Sequence, residues 1–378
     1  MTVKNGIVFC ADGVFRKKDI RIENGLIAEV GENLQKNERE DVDASGYYVI
    51  PGLVDIHIHG AAGADFCDGT TEAIQKIARY LLSCGVTSFL GTTMSLPENR
   101  LIDICKTARS FINARNPSQS VLRGINLEGP FLSREKKGAQ NAAYIVKPDF
   151  SLYMRLYEAS GEAIKIVAVA PEAEGGAEFI KEAASLGSVS LAHSSADYDT
   201  AVNAFLSGAD HVTHLFNCMS PFNHREPGII GAAFNSGAYV ELISDGVHLH
   251  PAVVKAVFKL FGDNKVCLIS DSMRACGLPE GRYDLGGQEV TVTGRTASIE
   301  NESLAGSVTD LADCLRYAVE FGVPLAGAVK AATINPAKSA GLDAEIGSLT
   351  VGKQADILLL GKDLVLTEVI FGGTRISL

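Results

Sequence analysis

Eight short apolar, β-branched runs recur along the middle of this chain, at 52–60, 86–92, 121–130, 164–172, 189–196, 211–217, 239–248 and 265–273. Such runs suit strands buried on both faces, which occur in parallel sheets covered by helices. Helix-like segments separate most of them, among them TEAIQKIARYLLSCG (71–85), PENRLIDICKTARSFINAR (97–115) and PAVVKAVFKLFG (251–262), with two more expected at 307–321 and 324–334. Eight buried strands alternating with helices over about 220 residues predict an α/β fold of the (β/α)8, TIM-like barrel type. A doubly wound open sheet is the competing arrangement.

The two ends have another character. Residues 1–48 read as short strands, with a hairpin signal at Glu23-Asn24-Gly25, and strand patterns return after 345 in GSLTVGKQADILLLG and LVLTEVIFGG. Because termini often lie close together, the prediction is one small β-sandwich domain built from 1–50 plus 343–378. The catalytic barrel then occupies 51–342.

Composition narrows the function classes. With 34 basic and 45 acidic side chains the net charge is −11, and no basic block is present, which excludes the phosphate-neutralising surface of a non-specific nucleic-acid binder. One or two local cations can still hold a small phosphorylated substrate. Apolar residues at 46% against 21% charged exclude disorder as the main state. The eight cysteines form no CxxC pair or regular framework, no leader-like apolar stretch follows Met1, and no apolar run reaches membrane-spanning length. A cytoplasmic enzyme with reduced thiols and no membrane partner is expected.

Barrel enzymes carry their chemistry at the C-terminal ends of the strands. Here those ends read His57-x-His59, Glu128, His193, His214, His248 and Asp271, which takes in five of the eight histidines of the chain. His57 and His59, two apart on a strand, point to one face and can grip a metal; the plainer reading is a hydrogen-bonded pair in the core. Glu128 is either a ligand or the partner of Arg123 or Lys136. His211 and His214, three apart, should face opposite ways on an extended strand, which makes His214 the residue expected in the lumen. Glu128, His193 and His214 together offer an N/N/O triad with an open position, as in catalytic zinc sites. Asp271 could exchange a proton with the attacking water, or cap a following helix. Arg225 and His248 are candidates for an anion handle, with a surface pair to Glu226 as the alternative for Arg225. No P-loop, GxSxG or dinucleotide fingerprint supports nucleotide-driven or serine-hydrolase chemistry.

VIPGLVDIHIHG near the start and GSLTVGKQADILLL near the end resemble the amidohydrolase superfamily of metal-dependent barrels. Within it, LEGPF (127–131), KKGAQ (136–140), THLFNCMSP (213–221), REPG (225–228), SDGVH (244–248) and SDSMRACGLPEGRYDLGG (270–287) resemble the N-acetylglucosamine-6-phosphate deacetylase family. The resemblance implies a divalent metal, zinc or iron, on Glu128, His193 and His214, with His57 and His59 able to hold a second ion. It makes Asp271 the general base and acid, and it assigns Arg225 and His248 to the sugar phosphate. Asn217 and the backbone beside Cys218 join the substrate site. It also implies a homodimer whose neighbouring subunit contributes to the phosphate pocket, and it places no bridging carbamylated lysine here, since Glu128 takes that role. Three positions depart from the family pattern: Gln140 stands where a histidine is usual, and Cys218 and Ser272 replace alanines.

The expected function is therefore metal-dependent hydrolysis of the N-acetyl amide of a phosphorylated amino sugar, N-acetylglucosamine 6-phosphate. The galacto epimer is the nearest alternative substrate, and a non-catalytic sugar-phosphate-binding barrel is the alternative of another class.

Overall fold

The computed structural model describes residues 1–34, 41–114, 116–299 and 303–377. Arg115, the last residue of the helix expected at 97–115, and Leu378 lie outside the described residues.

All eight expected barrel strands form: Leu53–Ile58, Val86–Thr92, Val121–Leu127, Ile164–Val169, Ser188–Leu191, His211–Val212, Tyr239–Leu242 and Val266–Leu268, numbered here as strands 1 to 8. They pair in chain order, every pair parallel, in one continuous sheet. That order settles the competition with an open doubly wound sheet, whose strand order would reverse part-way. Strands 1 and 8 close the ring just beyond their ladders. The Asp271 N–H donates to the His57 carbonyl at 2.9 Å, and the His59 and Gly60 N–H groups donate to the Ser272 carbonyl, each at 2.9 Å. Closure thus runs through the residues expected to do chemistry.

The helices form by amphipathic patterning. In Thr71–Ser83 the residues Ile74, Ile77, Ala78, Leu81 and Leu82 fall on one buried stripe, and the Thr70 hydroxyl caps the start by accepting from the Ala73 N–H. The helix expected from 307 begins only at Leu311, capped by Asp310. The preceding residues have another use: the Ser307 N–H donates to the Asp271 carbonyl at 2.7 Å. Inside the ring, Val54, Ile56, Leu90, Ile166, Ile243, Cys267 and Ile269 pack with Ala337 and Ala340, which belong to and follow the short helix Ile334–Ser339. The lumen is filled at that level, so open space is confined to the opposite end.

Both chain ends join one eight-stranded sheet, in the order Thr374–Ile376, Leu366–Phe371, Ile357–Leu360, Tyr48–Pro51, Thr2–Phe9, Phe15–Glu23 and Leu26–Gly31, with Val42–Asp43 beside Thr2–Phe9. Asn24 and Gly25 take positive φ of 51° and 76°, the two-residue hairpin that their sequence signals. The sheet has its own apolar core, including Val3, Val8, Ile20, Ile22, Ile27, Val49, Ile357, Leu359 and Ile370. A three-stranded antiparallel sheet, Gly281–Leu285, Gln288–Thr293 and Thr296–Ser298, follows strand 8 and was not expected. Its signals are Gly286-Gly287 and Gly294, which turn the chain between short alternating runs.

Among the described residues no helix is long and apolar enough to cross a membrane. All eight cysteines carry free thiols.

Candidate active site

The strands stop short and the chain then turns. His193, His214 and Asp271 sit two or three residues past the ends of strands 5, 6 and 8, with φ of 44°, 27° and 46°. Such left-handed backbone at non-glycine residues costs about 1–3 kcal/mol each and collects at functional sites. Phe216 and Cys218 share it, at 77° and 53°. All five residues line one cavity of about 330 Å³, together with His59, Glu128, Gln140, Asn217 and His248.

Glu128, which directly follows strand 3, is the centre of this cavity's polar wall. Its Oε1 lies 3.1 Å from His193 Nε2 and 3.0 Å from His214 Nε2, and the two imidazole nitrogens are 3.2 Å apart. Its Oε2 accepts from Gln140 Nε2 at 2.9 Å and lies 3.3 Å from His59 Nε2. Neither Arg123 nor Lys136 is its partner: Arg123 reaches Glu345 and Gln354, and Lys136 pairs with Glu135. Asp271 faces the same cluster, with Oδ1 3.4 Å from His57 Nε2 and 3.3 Å from His59 Nε2. No helix begins behind Asp271, so it caps nothing.

Ring orientation follows from what holds the other nitrogen. His193 Nδ1 lies 2.8 Å from the Lys136 carbonyl, an acceptor only, so the nitrogen there is an N–H and Nε2 is the one turned to the cavity. His57 Nδ1 lies 2.8 Å from Glu241 Oε2, and its Nε2, fully buried, has no hydrogen-bond partner. Burial alone would push these imidazoles toward neutrality. For His57 the charges of Glu241, Asp271 and Glu128 outweigh it and raise the pKa well above 6.5; for His59, Asp271 and Glu128 raise it to about 9. For Asp271, burial pushes the carboxyl up, but His57 and His59 prevail and hold it below the ordinary carboxylate range.

These observations test the fit of a divalent cation. The Nε2 atoms of His193 and His214 converge on one another and on a buried carboxylate, and His57 Nε2, which has no hydrogen-bond partner, points into the same space. Two ligand groups result, Glu128 with His193 and His214, and His57 with His59 and Glu128, each with its donor atoms within 4.8 Å. Two imidazoles and a carboxylate suit zinc or ferrous iron. The residues fit.

The remaining expectations divide. His248 lines the cavity, and its Nδ1 is held 2.8 Å from Asp245 Oδ2, which leaves Nε2 for a ligand. Burial lowers its pKa, but the bond to Asp245 prevails and raises it. Asn217 also lines the cavity, although its Nδ2 donates back to the His214 carbonyl at 3.1 Å. Cys218 lies against Gly138. Gln140 is buried and fixed at both ends, its Oε1 accepting from the Ser95 N–H at 2.7 Å. Ser272 donates its hydroxyl to the Gly60 carbonyl at 2.9 Å and so belongs to the barrel seam, not to the cavity wall. Arg225 is not brought together with His248: it lies exposed beside His224 and lines a separate cleft with Ser220, Asn223 and Gly228. Its loop runs outward between strand 6 and the helix Gly228–Ser236, so one chain alone does not carry the arginine to the cavity.

Strand alternation failed at His211. Strand 6 is only two residues long, and the turn at His214 resets the parity, so His211 also reaches the interior, with Nε2 3.2 Å from Glu241 Oε1. Glu241 itself escaped the sequence reading. Its signal was a lone carboxylate inside the apolar run YVELIS, where an unpaired charge is costly.

Comparison with known proteins agrees with this geometry. Residues 48–376 match the Amidohydrolase family. The chain is 36% identical over 370 residues to an N-acetylglucosamine-6-phosphate deacetylase of Bacillus subtilis (strain 168), covering 96% of this chain and 93% of that one. It is 32% identical to an N-acetylgalactosamine-6-phosphate deacetylase of Escherichia coli O157:H7, covering 97% and 96%. A mutant N-acetyl-D-glucosamine-6-phosphate deacetylase from Mycobacterium smegmatis, solved with N-acetyl-D-glucosamine-6-phosphate, superposes with a TM-score of 0.94 at 28% identity, over 100% and 99% of the two chains. The family's hydrolases are metal-dependent. With a parallel eight-stranded barrel, histidine and glutamate clusters at its open end and likeness over nearly its whole length, this chain belongs to the amidohydrolase family, in the group that holds the N-acetylglucosamine-6-phosphate deacetylases.

Proposed function

We propose that this chain hydrolyses the N-acetyl amide of N-acetylglucosamine 6-phosphate to glucosamine 6-phosphate and acetate. The observation that carries this reading is the convergence of Glu128, His193 and His214 at a cavity that Asp271 also faces. Glu128, His193 and His214 would hold one ion, and His57, His59 and Glu128 could hold a second; zinc or iron would suit both sets. When bound, the ion polarises the amide carbonyl and acidifies a water molecule.

The chain's own residues do the rest. Asp271, held ionised by its imidazole neighbours, takes the proton of the attacking water and passes it to the amide nitrogen as the C–N bond breaks. The proton matters because an amide anion is a poor leaving group. Gln140 keeps Glu128 in place through one hydrogen bond to Oε2. Asn217 and Cys218 line the sugar site, and His248 presents Nε2 to the phosphate. Arg225, exposed on its own chain, reaches the phosphate of a neighbouring copy in a homodimer. The division into 1–50 plus 343–378 and 51–342, and a cytoplasmic location, belong to the same reading.

The likeness to an N-acetylgalactosamine-6-phosphate deacetylase keeps the epimer as a second reading. Acetate release from the gluco and galacto 6-phosphates, each beside its unphosphorylated sugar and with zinc or iron(II) added, tests both. Release from N-acetylglucosamine 6-phosphate above the other three substrates is expected. Faster release from the galacto epimer would select the second reading, and no release from any would favour a non-catalytic binding barrel.

A further inference from the structure

Glu241 is fully buried on strand 7 and stands behind the candidate metal ligands, not among them. Its Oε2 faces two groups at once, His57 Nδ1 at 2.8 Å and the backbone N–H of His214 at 3.1 Å. Its Oε1 faces His211 Nε2 at 3.2 Å, and His211 Nδ1 lies 2.6 Å from the hydroxyl of Ser339, at the end of the helix under the barrel.

The proton positions along this chain follow from donor and acceptor chemistry. A carboxylate only accepts, so both nitrogens facing Glu241 carry hydrogen. With His211 protonated at Nε2, its Nδ1 accepts from the Ser339 hydroxyl. With His57 Nδ1 committed to Glu241, the nitrogen left to the cavity side is Nε2, a buried atom that has no hydrogen-bond partner. Every polar atom from Ser339 to His57 Nδ1 then faces a partner of the complementary kind. The third contact acts on backbone: the His214 N–H is held inside the left-handed turn, with φ of 27°, that brings this imidazole to His193.

We infer that Glu241, backed by His211 and Ser339, is the positioning residue of the metal centre: it fixes the tautomer of His57 and the backbone turn of His214 through one carboxylate. The inference rests on the proposed metal site and adds a residue that is no ligand itself. Loss of a partner of this kind typically costs about 10–100-fold in metal affinity.

Glu241→Gln tests it, because an amide presents one oxygen and one NH2 group and cannot accept from both His57 and His211. The measurement is zinc content after dialysis against graded chelator, read by elemental analysis beside a circular-dichroism spectrum of the metal-free protein. The folded variant is expected to lose half its zinc at about 10–100-fold less chelator than the unaltered protein. Should Glu241→Gln not fold, the pair His211→Gln and His211→Leu decides. Gln restores a donor towards Glu241 and should hold zinc within about two-fold of the unaltered protein, whereas Leu should lose it about ten-fold more readily. A folded Glu241→Gln that releases zinc as the unaltered protein does, or equal behaviour of the two His211 variants, overturns the inference while leaving the metal site standing. An unaltered protein that takes up no zinc and no iron overturns both.

Discussion

Of the glycines Gly138 and Gly306 that line the cavity, Gly138 leaves less room, and an added methyl there should damage catalysis far more than folding. A Cβ at this position would lie 2.5 Å from Cys218 Sγ and 3.4 Å from His193 Cε1, on backbone whose φ is +53°. Ordinary contact at such a site begins near 3.4 Å, so Gly138→Ala forces a displacement of about 1 Å. The left-handed backbone adds about 1–2 kcal/mol for a residue with a Cβ. The 136–140 loop is also what orients His193, through the Lys136 carbonyl. A segment that positions ligands, misplaced by about 1 Å, lowers kcat/KM by about 100-fold. The melting temperature, by contrast, should fall by no more than about 5 °C, since only the strain of one residue is involved. The assay is acetate release from N-acetylglucosamine 6-phosphate by Gly138→Ala, Cys218→Ala and the double variant. Removing Sγ opens the space the new methyl needs, so the double variant should recover to within about ten-fold of the unaltered protein, leaving a coupling of at least about 1 kcal/mol between the two sites. A single Gly138→Ala variant with unaltered kcat/KM, or a double variant that only adds the two losses, would refute the packing argument.

Asp271→Asn should keep its metal, by elemental analysis, while turnover falls by about 10²–10⁴-fold; turnover near that of the unaltered protein would remove Asp271 as the proton carrier. Stripping the metal should lower the melting temperature and restoring zinc should raise it, by about 4 kcal/mol of stability when zinc is at 1,000 times its dissociation constant. A melting curve insensitive to chelator would contradict a cation bound to the folded state. Burial pushes the Asp55 carboxyl up to about 7, and the Ser270 hydroxyl at 2.6 Å offsets this only in part. The folded form therefore keeps a proton that the unfolded chain has lost, and the stability this gives at low pH is lost as pH rises from about 4 to 7, an effect on the order of 4 kcal/mol. Asp55→Asn removes that dependence, so urea titrations of both metal-free proteins should diverge in the variant's favour across this window; parallel curves would show that Asp55 is already ionised.

The strands were legible because each barrel strand is covered on both faces and must be apolar throughout, a pattern that survives without any knowledge of its neighbours. The inserted sheet at 281–298 was not, since its alternating strands are only three to six residues long and half of their surface faces water. Residue type was legible at the strand ends for the same reason: imidazoles and carboxylates stand out where everything before them is apolar. Glu241 is the exception, because it sits within its strand and gains its meaning from His57, 184 residues away in sequence.

Arg225 marks a different boundary. Its motif has the family's form, but its guanidinium is exposed on the loop before the helix Gly228–Ser236 and lines a cleft apart from His248, so within one chain the geometry gives the motif's phosphate role no support.

What the sequence withheld most completely was the handedness of the turns that follow the strands. Extended backbone would send His211 and His214 to opposite faces, and a rule of alternation can do no better. Five non-glycine residues of the cavity instead adopt left-handed backbone, which is uncommon for any residue with a Cβ even though histidine and aspartate visit it more often than phenylalanine or cysteine. That conformation is unstable locally and persists only because surrounding bonds impose it: the Asp271 N–H on His57, the His214 N–H on Glu241, the Ser307 N–H on the Asp271 carbonyl. Each of those bonds joins residues far apart in the chain. The ligand types can therefore be read one residue at a time, whereas their convergence is a property of the closed barrel, imposed where strands 1, 7 and 8 hold the turns against their own preference.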